Sequence, residues 1–161
     1  MPATAKPKST DPTDRMGVYK SIGDVPDRRR LSQHTAAYDG RDVWTEFVAA
    51  NEDRYATEDS RRRVARAGEV WGDHMDERGR HHALATPADV EAWSAALLDE
   101  YTVGHAYNGY WVRVEAFYSW LQWHTEHPHV YQPVRMAAAD PDAPASRTIW
   151  DEKVSRRRDR E

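Results

Sequence analysis

The residues best suited to chemistry fall in two clusters. Arg61, Arg62, Arg63 and Arg66 crowd one stretch, while His124, His127 and His129 crowd another around Glu126, with a His81–His82 pair upstream. Guanidinium forks match phosphate oxygens and the guanine edge exposed in a major groove. Arg62 and Arg66 stand four apart and on a helix share a face, turned away from Val64 and Trp71. The same row also reads as a solvated face, paired with Glu58, Asp59 and Glu69. Imidazoles are zinc ligands by type, and three lie within six residues here. Pro128 breaks any helix inside that cluster, so the rings would not share a helical face. The expectation is a polar helix end whose histidines complement the dipole and cap carbonyls, with no metal and no cofactor.

Other catalytic patterns are missing. The sequence has no HExxH, GxSxG, phosphate-binding loop or GxGxxG, and its carboxylate neighbours Asp76–Glu77 and Asp99–Glu100 would point apart on a helix. Cysteine is absent, which excludes disulfide frameworks, thiolate metal sites and cysteine nucleophiles. The expectation is therefore a chain that is not an enzyme.

Length and charge narrow the class. At 161 residues the chain suits one domain with tails. No apolar run approaches the roughly 18 residues of a membrane span, and the polar start lacks a signal-peptide core, so a soluble, cytoplasmic protein without membrane partners is expected. The net charge of −4 is uneven: residues 1–40 sum to +2, residues 41–140 to −7 and residues 141–161 to +1. An acidic middle argues against strong nonspecific nucleic-acid binding, which phosphate contacts dominate.

The elements that must position these residues are helical. Residues 1–40 hold prolines among small polar residues and few large apolar ones, and are expected to be a mostly disordered tail. Met16, Val18, Tyr19 and Ile22 form either a short docking patch or scattered exposed positions. From Asp42 the apolar period becomes 3.6, predicting four helices. The first spans about 42–55 with Trp44 and Phe47. The second follows an N-cap at Thr57, with Val64, Ala67, Trp71 and Met75 on one face. Thr86, Pro87 and Asp89 signal the start of the third. The fourth begins near Thr102, carries the Tyr107–Leu121 aromatic stripe and stops before Pro128. Residues 139–161 read as a linker and a charged, helical tail in which Ile149, Trp150 and Val154 either dock or stay free. With no β-branched alternation, the expected class is all-α: a four-helix bundle over residues 41–138 with flexible N- and C-terminal tails.

The stretch from Thr86 to Pro133 resembles the core-binding, SAM-like N-terminal domain of tyrosine recombinases and phage integrases. The likeness rests on the Thr-initiated third helix, the Phe117-Tyr118-Ser119-Trp120-Leu121 block closing the fourth, and Gln132-Pro133 where the family has Asn-Pro. The run His127-Pro128-His129-Val130-Tyr131 looks like integrase-type proteins of halophilic archaea. The resemblance implies a DNA-binding module whose second and fourth helices face the duplex. Carried onto this chain, it points to Arg61, Arg62, Arg63 and Arg66 on the second helix. On the fourth it points to His105, Asn108 and Arg113. Relatives often have Arg where this chain has Glu115, and a carboxylate there would repel phosphate. Relatives also continue into a catalytic domain. After Pro133 this sequence has 28 residues and nowhere a His-x-x-Arg box, so strand cleavage by this chain, with Tyr131 as nucleophile, is not expected.

The functional expectation is a non-catalytic protein that binds double-stranded DNA, a free-standing counterpart of the core-binding domain. It would assist or regulate site-specific recombination, or regulate transcription, in a virus or mobile element. The alternative is a protein-interaction module on the same scaffold, binding a tyrosine recombinase or a second copy of itself through exposed Trp120, Trp123 or Trp150.

Overall fold

Two helix starts fall on the threonines read as caps, Thr57 and Thr86, and a third falls on Thr102, near the expected start of the fourth helix. The computed structural model describes residues 9–124 and 126–159, and these residues are all-helical, with no strand among them. After a single turn, α1 (Thr35–Tyr38), comes α2 (Val43–Ala50), opened by the Asp42 carboxylate accepting from the Thr45 N–H at 3.0 Å. α3 (Glu58–Glu77) opens on Thr57, whose hydroxyl accepts from the Ser60 N–H at 3.0 Å. α4 (Pro87–Glu100) opens on a full capping box between Thr86 and Asp89. From the Thr102 cap, α5 (Val103–His105), a π-helical turn (Ala106–Trp111) and α6 (Val112–Trp123) run on as one rod with helical backbone at both junctions. α7 (Pro133–Ala139) and α8 (Pro144–Asp159) follow.

An aromatic core joins these helices. Trp71 of α3 meets Trp93 of α4 at 4.9 Å between ring centroids, and Trp44 of α2 meets Phe117 of α6 at the same separation. The Trp44 indole donates to the Val64 carbonyl at 3.0 Å, which brings α2 hard against α3. A Cβ on Gly68 would lie 2.3 Å from that indole nitrogen, so the close approach needs glycine there. The loop between α3 and α4 is sewn inward as well. Its His82 carbonyl accepts from Trp71 at 2.8 Å and from the Tyr118 hydroxyl at 2.7 Å.

Both chain ends depart from the expectation of flexible tails. In residues 9–40, Met16, Val25, Leu31 and Tyr38 are buried, and Tyr19 and Ile22 lean on the core, while Val18 stays exposed. The physical reason is that core side chains use this segment's backbone. Trp150 donates to the Thr10 carbonyl at 2.8 Å and Arg135 to the Arg15 carbonyl at 2.5 Å. A few apolar anchors and long-range hydrogen bonds together offset the ordering entropy. At the other end, Ile149 and Trp150 of α8 are fully buried, and the Glu91 carboxylate of α4 caps α8 by accepting from the Ala145 and Ser146 N–H groups at 3.1 and 2.7 Å. The core thus takes in α7, α8 and the N-terminal strap beyond the four expected helices. Residues 1–8 and 160–161, part of the same expectation, lie outside the described residues. No helix among the described residues is long and apolar enough to cross a membrane.

Candidate nucleic-acid interface

The apolar stripe of α3 fixes where its arginines go. Val64, Ala67, Trp71 and Met75 are buried, so Arg62, Arg63 and Arg66 project from the outer surface. Across from them stands the π-helical turn, whose Ala106, Tyr110 and Trp111 are buried while its Asn108 and the preceding His105 of α5 are exposed. The two elements enclose a cleft of about 430 Å³ lined by Arg62, Arg63, Arg66, His105, Asn108, Gly109 and Tyr110. Five of the seven residues expected to face DNA therefore line one cleft.

The remaining two do not. Arg61 folds back over the start of its own helix, donating to the Tyr55 and Ala56 carbonyls at 3.3 and 2.6 Å, and lines a neighbouring hollow. One residue along a helix is about 100° of rotation, enough to separate Arg61 from Arg62. Arg113 is half-buried behind the cleft, where its guanidinium donates to the Asn108 and Gly109 carbonyls. It braces the π-helical turn.

The cleft arginines are paired lightly. Asp59 serves two of them, Arg62 at 2.8 Å and Arg63 at 3.0 Å, and Glu69 serves Arg66 at 3.2 Å. Three guanidinium groups thus face two carboxylates, leaving positive charge in surplus. All five side chains are more than half exposed, so neither burial nor the chain ends wall them off. Hydrogen bonding to Arg62 holds the Asp59 carboxyl below the usual carboxylate range. Beside the cleft, the Tyr110 hydroxyl donates to Tyr101 at 3.3 Å, and this contact with burial pushes the Tyr101 phenol up to about 12. His105 packs at a tilt against Tyr101, 4.8 Å between ring centroids, which fixes one wall.

Glu115 does not bear on this surface. The expected repulsion of phosphate fails because Glu115 turns inward, buried, to meet Lys153 at 2.5 Å and Arg135 at 3.2 Å. Trp150, expected as an exposed anchor, is buried, Trp120 is half-buried, and Trp123 is 82% exposed. Tyr131 is buried too, and burial raises its phenol pKa.

The histidines form part of the interior, where a dipole-capping helix end was expected. His127 and His129 are buried around Tyr38, whose hydroxyl lies 2.5 Å from His127 Nδ1, and His129 Nε2 donates to the Ala83 carbonyl at 2.6 Å. His82 Nε2 accepts from the Val43 and Trp44 N–H groups at 3.1 and 3.3 Å, capping α2 from a distant loop. Among the described residues, no three His, Asp or Glu side chains come together to hold a metal ion.

No protein-family model, no curated protein and no solved structure matches the chain.

Proposed function

We propose that this chain is a non-catalytic domain that binds double-stranded DNA through the cleft between α3 and the π-helical turn. The observation that carries this reading is convergence: Arg62, Arg63 and Arg66 meet His105 and Asn108 in one cleft across some forty residues of sequence. The arginines leave Asp59 and Glu69 for phosphate oxygens at small cost, since each exposed ion pair is worth only about 0.2–1 kcal/mol. Asn108 offers an amide that matches an adenine edge, and the arginines match either phosphate or guanine. The order of capped helices and the Phe117–Leu121 block support a likeness to the core-binding domain of tyrosine recombinases. In that role the domain acts beside an integrase or as a regulator in a virus or mobile element.

The test is a fluorescently labelled duplex titrated at several salt concentrations. Three arginine–phosphate contacts give a slope of log affinity against log salt of about −2.7, and removing two of them lowers its magnitude by about 2. Arg62→Ala with Arg66→Ala is the double variant, and Arg61→Ala is the control that leaves binding unchanged. Absence of any shift at low salt refutes the reading. A second copy or a protein partner on this surface would instead give a larger mass in light scattering, with no dependence on DNA.

A further inference from the structure

A second cleft, of about 630 Å³, runs along α6. Its lining brings Arg15, Arg54, Arg135 and Lys153 together with the indoles of Trp120 and Trp123. Among the described residues of that lining one acid, Glu115, faces four cations, and it is already held by Arg135 and Lys153. The cleft is therefore positive. It is also open to stacking, because Trp123 is 82% exposed at the end of α6 while the five indoles outside this cleft are buried.

The two clefts are joined by charge. Arg113 lies between them: it follows Val112, which lines the second cleft, and donates to the carbonyls of Asn108 and Gly109, which line the first. Arg63 lines the first cleft and Arg54 the second, so cationic groups continue from one to the other. Aromatic faces beside a cationic track are how unpaired nucleic acid is held, bases stacking on the rings and phosphates meeting the cations. A base inside a duplex is already stacked and cannot offer its face to an indole. Resting on the DNA reading above, we infer that this second cleft takes an unpaired stretch of the strand whose paired part occupies the first. Trp123 is the stacking platform, Arg54 holds the phosphate nearest the junction, and the preferred ligand is a duplex with a single-stranded extension.

The test compares a blunt duplex with the same duplex bearing a short oligothymidine overhang, by anisotropy and by tryptophan emission. The overhang is expected to tighten binding about fivefold to a hundredfold and to quench emission. Trp123→Ala brings the overhang probe back to blunt-duplex affinity, and Trp123→Phe keeps part of the gain. Exposure of Trp123 makes both variants foldable, which an unchanged thermal melt verifies. Equal affinity for the two probes, or a gain that survives Trp123→Ala, overturns the inference and leaves duplex binding standing. If neither probe binds, the inference falls together with the DNA reading. A glutamate-rich peptide that quenches emission and displaces the overhang probe marks a protein-binding cleft and also overturns it.

Discussion

Lowering the pH from 6.5 to about 4 should weaken this fold by a large part of its stability. Two buried rings dominate the effect, and His74 and His127, also lowered by burial, add to it. His82 Nε2 accepts two backbone N–H groups at the start of α2, so a proton on that atom destroys the cap. His129 donates from Nε2 to the Ala83 carbonyl, which leaves Nδ1 bare, buried and without a partner to receive a second proton's bond. Burial accordingly pushes both groups from 6.5 down to about 4. In the unfolded chain both return to 6.5, so between these values the unfolded state binds more protons and stability is lost as the pH is lowered. At ~1.4 kcal/mol per pH unit, each ring costs about 3 kcal/mol across the window. The pair costs about 6 kcal/mol, against a total stability of about 5–15 kcal/mol for an ordinary domain. Urea unfolding followed by tryptophan emission measures this directly, with an expected slope of about 2.7 kcal/mol per pH unit inside the window. His82→Gln keeps an acceptor for the α2 amides and does not titrate, so it should lower the slope by about 1.4 kcal/mol per pH unit. A flat stability profile from pH 6.5 to 4, or an unchanged slope in His82→Gln, refutes the reasoning.

Two further substitutions probe the packing. Gly68→Ala gains up to about 1 kcal/mol of helix propensity, yet its methyl would sit 2.3 Å from the Trp44 indole. The clash is expected to dominate by about 1–3 kcal/mol and to loosen the Trp44–Val64 hydrogen bond, so a raised melting temperature would contradict it. Glu115→Ala leaves Arg135 and Lys153 without their shared carboxylate in a part-buried site, with an expected loss of about 3–5 kcal/mol. Denaturant unfolding reads this out, and a loss below about 1 kcal/mol would mean that solvent already screens the cluster.

What could be read from the sequence was what local chemistry decides. Thr57, Thr86 and Thr102 mark helix starts because a cap needs a hydroxyl and an N–H three residues on. The outward row of Arg62, Arg63 and Arg66 follows from the buried period of Val64, Ala67 and Trp71 in the same way. The histidines were opaque for the opposite reason. Their partners lie 39 residues away for His82, 46 for His129 and 89 for His127, and sequence spacing carries no trace of such bonds. The strap was hidden because its binding groups are backbone carbonyls, which every residue has. The π-helical turn left no mark either, since the Tyr107–Leu121 stripe looks continuous whether or not the register slips by one residue.

The acidity of the middle of the chain at first weighs against a nucleic-acid surface, and the positions of the acids resolve the conflict. Asp89 is wholly buried, and burial alone would raise its carboxyl, but the Thr86 N–H, Arg78 and Arg80 outweigh that and hold it below the usual range. Glu115 is matched by two cations in the interior. Asp76, Glu77 and Asp99 are solvated on the last turns of α3 and α4, away from the first turns of α3 that carry the arginines, and Glu100 is engaged by the Tyr101 phenol beside the cleft. The acids that pair with the cleft arginines are Asp59 and Glu69, two against three. On a surface that is negative elsewhere, the proposed reading leaves phosphate only the arginine cleft and the cleft along α6, a small footprint of few contacts. Binding through such a footprint depends on which groups line it, and net charge is the wrong quantity by which to judge it.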